Sequence, residues 1–173
     1  MNLTNSILID IKKQKNKVAI LIDYPNMEIG LKQSGWPYFF DYKAIELMAS
    51  QHGEILISRI YGDWNYLKNA YISLSQYNVE MVNVKHIMVC GDKRKDLVDT
   101  QIAVDVGILL CKYNDINLFI IVSGDADMIP IIQKIKEFKD KKVIVIGERN
   151  SMSEHLGRYA DRTLYYQYIV DIS

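Results

Sequence analysis

Leu118-Phe-Ile-Ile-Val-Ser-Gly-Asp-Ala-Asp-Met-Ile-Pro130 reads as a buried strand that runs through a tight turn into a helix. Leu118 to Val122 is apolar without a break, the pattern of a strand covered on both faces. Gly124 lets the backbone bend behind it. Asp127 is placed to cap the helix that follows, and Pro130 falls in the first turn, where a missing N–H is tolerated. The helix is expected to reach Phe138, with Ile131, Ile132, Ile135 and Phe138 as its apolar face. A strand feeding a helix in this way is half of a βαβ unit.

The other halves lie on either side. Val18-Ala-Ile-Leu-Ile22, Ile55-Leu-Ile-Ser-Arg-Ile60 and Val143-Ile-Val-Ile146 are strand-sized and rich in β-branched residues, and Val79 to Val84 is a weaker, alternating strand. Helical periodicity covers 41–51 (Ile45, Leu47, Met48), 65–77 (Leu67, Ala70, Tyr71, Leu74), 96–111 and a shorter stretch at 153–159. Residues 85–95 read as a charged loop, and 164–170 as either a late edge strand or a packing tail. Alternation of this kind predicts an α/β protein: a three-layer α/β/α sandwich on a mostly parallel sheet of about five strands. Residues 1–16 form an N-terminal arm and 17–173 one domain.

Composition narrows the class. The chain of 173 residues is 49% hydrophobic and 24% charged, which describes a globular domain. Its 21 basic and 21 acidic residues cancel, which argues against a general electrostatic sponge for nucleic acid. Cys90 and Cys111 have no CxxC partner, so a structural zinc site is not expected, and both are read as reduced, partly buried thiols. Residues 1–17 lack the order of a signal peptide, and no apolar run approaches the ~20 residues of a spanning helix. The expected location is cytoplasmic.

Ligands of open α/β sheets bind beyond the carboxyl ends of the strands. There, Asp23-Tyr-Pro-Asn26 follows the first strand and Ser123-Gly-Asp-Ala-Asp127 follows Val122. Lys95-Asp-Leu-Val-Asp99 opens the long helix after the strand at 79–84, with Asp96 as the expected cap. Carboxylates from three chain-distant segments would meet at one edge. Close carboxylates need a cation, shared protons or basic partners, and oxygen-only ligands suit Mg²⁺ or Mn²⁺. Asp127 and Asp96 also have a plain structural use as helix caps. Asp105, six positions after Asp99, projects elsewhere and is expected behind the site, lining its inner wall or pairing with a basic residue.

These stretches resemble the NYN domain, a branch of the PIN-like nuclease superfamily. Val18-Ala-Ile-Leu-Ile-Asp-Tyr-Pro-Asn26 looks like its opening strand with a D-x-x-N signature, and Arg59-Ile-Tyr-Gly-Asp-Trp64 like its second-strand segment. Lys95 to Asp99, with Asp105, is similar to its K-x-x-V-D stretch, and Val122 to Pro130 to its S-G-D-x-D-F-x-P signature. Met128 stands where an aromatic is usual and Asp96 where glycine is common. The resemblance implies a metal-dependent nuclease acting on RNA. By that analogy Asp23, Asp99 and Asp125 hold Mg²⁺ or Mn²⁺, directly or through water, and Asp127 completes the acidic cluster. Asn26 orients a water or a phosphate oxygen, and Ser123 supports the turn or touches substrate.

Lys93, Arg94 and Lys95 are candidates for holding the RNA backbone, with Lys68, Arg149 and Arg158 behind them. Tyr24 and Trp64 are candidates for stacking bases, although Trp64 is as well placed for core packing. His52, His86 and His155 share no motif. Two alternatives stand beside the ribonuclease: a module of the same fold that binds RNA or protein without cutting, and an aspartyl-phosphate phosphatase. The latter wants a second Asp two residues after the first, where this chain has Pro25. No GxxxxGK[ST] loop is present, which excludes a P-loop NTPase. A tyrosine-rich tail is a candidate surface for self-association.

Overall fold

The computed structural model describes residues 16–37, 39–89, 93–95 and 97–171. Six strands form one all-parallel sheet: β1 (Asn16–Asp23), β2 (Gly53–Gly62), β3 (Glu80–Asn83), β6 (Leu118–Val122), β7 (Lys142–Gly147) and β8 (Arg162–Tyr165). Their order across the sheet is β3-β2-β1-β6-β7-β8. Helices α1 (Tyr24–Gln33), α2 (Tyr42–His52), α3 (Lys68–Leu74), α4 (Val98–Lys112), α5 (Ile129–Lys136) and α6 (Tyr166–Val170) complete a three-layer sandwich.

β1 shows why its sequence is apolar throughout. Val18, Ile20 and Ile22 enter a core shared with Met27 and Leu31 of α1, Ile45 of α2 and Ile169 of α6. Ala19 and Leu21 enter the opposite core, with Val106 and Leu109 of α4 and Ile132 and Ile135 of α5. Residues alternate between faces with the period of a strand, and both faces are covered. Burying such side chains contributes roughly 1.5–3 kcal/mol each relative to exposure, an upper figure for a real unfolded chain.

Several expectations change in detail. The sheet has six strands instead of about five, because Arg162–Tyr165 does form a late edge strand; the tail then turns into α6, which packs. Residues 85–95 are not simply a loop: β4 (Ile87–Val89) and β5 (Lys93–Lys95) pair as an antiparallel hairpin. The helix expected over 65–77 is only Lys68–Leu74, because the Asp63 carbonyl draws Tyr66 and Leu67 into a preceding turn. Residues 154–158 form a short 3₁₀ segment. Leu47 and Tyr71 lie on exposed surface, since their helices meet the sheet on a narrower stripe than periodicity alone allots. The helix expected to reach Phe138 ends at Lys136, with Glu137 as its C-cap, and Phe138 falls beyond it on exposed surface. Cys111 is exposed rather than partly buried, and Cys90 lies outside the described residues. Among the described residues no helix is long and apolar enough to cross a membrane.

Candidate metal centre

The sheet order brings the acidic segments together. From β1 the chain passes through α1 and α2 on one face to β2; from β6 it passes through α5 on the other face to β7. β1 and β6 are neighbours, so their loops diverge to opposite faces and leave a crevice between them.

Two hydrogen bonds stitch the walls of that crevice. Ser123 Oγ donates to Asp23 Oδ2 at 3.2 Å, and the Gly124 N–H donates to Asn26 Oδ1 at 2.8 Å. Asp23 is 5% exposed and also serves as the N-cap of α1, its Oδ1 accepting the Asn26 N–H at 3.1 Å. Ser123 is fully buried and accepts the Asp125 N–H at 3.2 Å. Of its two expected roles, Ser123 takes the supporting one.

Gly124 has a different reason from the one its sequence context suggests. Its backbone is not left-handed. Instead, the 151–153 segment crosses it: a Cβ at 124 would stand 3.0 Å from Met152 Cα and 3.4 Å from Met152 N. The Gly124 carbonyl also accepts the Ser153 N–H at 2.9 Å. Gly124→Ala should therefore push this loop outward and cost about 1–3 kcal/mol, the usual range for overpacking. Thermal denaturation reads the loss, and an unchanged melting temperature would refute the close approach.

Asp99, Asp125 and Asp127 converge, each offering a carboxylate oxygen within 4.8 Å of the other two. Asp99 comes from the first turn of α4; Asp125 and Asp127 come from the turn after β6. Asp23 is not a member of that trio. It stands behind it, joined through Ser123 to the turn that presents Asp125.

Asp127 does not cap the following helix. A 3₁₀ turn, Ala126–Met128, intervenes, and Asp125 caps it by accepting the Asp127 N–H at 2.9 Å. The N-cap of α5 is Met128, without a side-chain bond, and Pro130 lies in the first turn as expected. Asp127 is exposed and its carboxylate belongs to the trio. Asp96 lies outside the described residues, and the N-cap of α4 is Leu97. The side chains of Lys93, Arg94 and Lys95 also lie outside the described part; only the backbone of their strand is described.

Asp105 pairs with a basic residue instead of lining the site. It is 6% exposed, and its Oδ2 accepts from Arg59 Nη1 at 2.9 Å and from the Tyr61 hydroxyl at 2.8 Å. Its Oδ1 accepts from Gln101 at 2.9 Å. Arg59 also donates to Glu80 at 2.6 Å. Burial opposes the Arg59 charge, but Glu80, Tyr61 and Asp105 together hold its pKa above the ordinary value. Burial, with the Asp105 carboxylate next, pushes the Tyr61 phenol far above its ordinary range, so it remains a donor.

Trp64 is a packing residue. It is 8% exposed and its indole N–H donates to the Val82 carbonyl at 2.9 Å. One pair was missed in sequence: Asp63, at the carboxyl end of β2, meets His86 Nδ1 at 2.8 Å, with the Tyr66 ring 4.5 Å from the imidazole. Only the position of Asp63 after a strand could have signalled it.

The trio fits a small divalent cation. Oxygens bound to one ion at roughly 2.0–2.1 Å lie about 3–4 Å apart. Slight side-chain closure of carboxylates already within 4.8 Å of one another reaches that spacing. An all-oxygen donor set belongs with Mg²⁺ or Mn²⁺ chemistry rather than structural zinc.

An uncharacterized protein of Methanocaldococcus jannaschii is 33% identical over 165 residues, covering 92% of this chain; the chain spans 60% of that relative's length. The crystal structure of a protein of unknown function from Vibrio parahaemolyticus superposes with a TM-score of 0.77 at 24% identity, over 90% of this chain and 95% of that one. That likeness concerns the fold. The family profile of the NYN domain matches residues 17–167. NYN domains are generally nucleases that use divalent metals, and this chain, with a nuclease-like fold and an acidic cluster at its sheet edge, belongs to the NYN domain family.

Proposed function

We propose that the protein is a ribonuclease that hydrolyses RNA phosphodiester bonds with Mg²⁺ or Mn²⁺ held by Asp99, Asp125 and Asp127. The observation that carries this reading is the meeting of those three carboxylates, from two separate elements, at the switch point of the sheet. A bound ion of this kind supplies charge stabilisation to the phosphoryl oxygens and a lowered pKa to the attacking water.

The chain's own residues do the positioning. Asp23 and Ser123 brace the turn that presents Asp125. Asn26, whose carbonyl oxygen already accepts the Gly124 N–H, turns its amide N–H groups to the task, and these suit a phosphate oxygen. Lys93, Arg94 and Lys95, on the strand that precedes α4, are assigned to the RNA backbone.

Purified protein with Mn²⁺ should cut a 5′-labelled single-stranded RNA, stop when EDTA is added, and resume when Mg²⁺ or Mn²⁺ is restored. Tight RNA binding with no cleavage in either ion would assign the chain to the non-catalytic alternative.

A further inference from the structure

We infer that Glu148 is a positioning residue for the acidic trio, acting through a strap, residues 150–153, that holds Gly124 and with it Asp125; the inference rests on the metal-dependent reading above. Glu148 follows β7 directly, at the carboxyl edge of the sheet, and is 1% exposed. Its Oε2 accepts the Asn150 and Ser151 N–H groups, both at 2.8 Å, and its Oε1 accepts from Gln167 Nε2 of α6 at 2.6 Å. A carboxylate offers acceptors only, so it meets all three donors at once. Its burial is tolerated because its lone pairs are engaged in this way.

The strap is fitted to the edge that carries the site. The Glu148 carbonyl accepts the Met152 N–H at 2.9 Å, which closes the turn without any side chain. What the carboxylate adds is registry. It fixes Asn150 and Ser151, and Met152 then lies across the ends of two neighbouring strands. A Cβ on Gly147, the last residue of β7, would stand 2.8 Å from Met152 Cγ, as one on Gly124 would stand 3.0 Å from Met152 Cα. From the other side Gly30 of α1 makes room for Ser151, whose Oγ would be 2.6 Å from a Cβ there. A β-carbon is missing at each of the three places where this one segment is seated.

The contact reaches the trio through Gly124. Both of its polar atoms are held, the N–H by Asn26 and the carbonyl by the Ser153 N–H of the strap. Asp125 is the next residue; it carries one carboxylate of the trio and caps the turn that carries Asp127. Two of the three carboxylates therefore depend on a glycine that the strap fixes from outside. Loosening the strap costs metal affinity, because ligands that are not held beforehand must be ordered when the ion binds.

The test uses the full chain and Mn²⁺ alone, with unbound Mn²⁺ read from its EPR signal at a temperature where the variants are folded. Glu148→Gln turns an amide N–H towards Gln167 Nε2 and should weaken Mn²⁺ binding about tenfold, the low end for losing an outer partner of a metal ligand. Gln167→Met should weaken it several-fold; it leaves the net charge unchanged, so a lost negative charge is not the cause. Glu148→Gln combined with Gln167→Glu should return to within about twofold of wild type, the mark of a coupled pair. The amide at 148 then donates to the carboxylate at 167, which still accepts the Arg149 N–H. Wild-type Mn²⁺ affinity in folded Glu148→Gln and Gln167→Met overturns the inference, and Glu148 then serves only its own turn, a role that urea midpoints register. A double variant as weak as Glu148→Gln overturns it as well. Both results leave the ribonuclease reading intact. Should Glu148→Gln fail to fold, Gln167→Met and the double variant decide. A wild type that binds Mn²⁺ no more tightly than Asp125→Asn defeats the metal reading itself, and this inference with it.

Discussion

Asp125→Asn should abolish RNA cleavage and, in metal-free buffer, raise the melting temperature. Activity falls because one of three carboxylates that would hold the cation is gone. A loss of about two to three orders of magnitude is expected, the scale seen when one preorganised electrostatic group is removed. The fold should tolerate the change. Asp125 Oδ1 accepts the Asp127 N–H, and an asparagine carbonyl can keep that bond, being as good a cap as aspartate. Stability rises because like charges are relieved. Two carboxylates within 4.8 Å of one another repel by about 1 kcal/mol even with water-like screening. Adding Mn²⁺ should reverse the order, since only the wild type gains stability by mass action from an ion that binds the native state. Melting curves with and without Mn²⁺, beside cleavage rates, check both halves. A metal-free variant less stable than wild type would mean that the trio is not a site of stored repulsion. Cleavage at the wild-type rate would remove Asp125 from the chemistry.

The parts of this fold that are legible in sequence are those where a local pattern and its burial coincide. β6 occupies Leu118–Val122, the run its apolar continuity predicts, because a strand covered on both faces leaves no room for polar residues. The N-terminus of α2 is equally readable, since Asp41 is a cap whose carboxylate finds the Ala44 N–H. Legibility fails where a neighbour decides the outcome. Leu47 and Tyr71 have helical spacing, yet whether a periodic residue is covered depends on how wide a stripe the sheet presents. The β4–β5 pair sets the wholly apolar Ile87-Met-Val89 beside the wholly charged Lys93-Arg-Lys95, so neither strand has the apolar alternation by which hairpins are recognised.

The candidate site divides in the same way. That carboxylates gather at one edge follows from a parallel sheet, whose strands all end there, and the parallel sheet follows from the alternation of elements. Which carboxylates touch does not. A single 3₁₀ turn after Asp125 moves the start of α5, frees Asp127 from capping and swings it towards Asp99. Asp23, by contrast, is drawn back by Ser123 and by its own cap to α1. The Ser123 bond to Asp23 spans 100 residues of chain and no local pattern encodes it, whereas the Asp23 cap reaches only three residues along the chain.

Asp105 has two uses consistent with its spacing from Asp99, lining the inner wall of the site or pairing with a basic residue, and its substitution separates the two. The structure shows the second: its lone pairs are occupied by Arg59, Tyr61 and Gln101. Asp105→Asn should therefore cost stability, about 3 kcal/mol, because it leaves a largely buried guanidinium facing an amide with only Glu80 to pair it. Against a typical total of roughly 5–15 kcal/mol, that is a large fraction. Cleavage by the protein that remains folded at low temperature should stay within a few-fold of wild type. Replacing the network as a whole, with Arg59→Met, Tyr61→Phe and Asp105→Leu together, should recover most of the loss, since no charge or hydroxyl is then buried without its partner. Denaturant titrations of the single and triple variants measure the recovery. If Asp105→Asn instead kept its stability and lost its cleavage, Asp105 would act on the metal site, and the contacts made by Arg59 and Tyr61 would be incidental to its role.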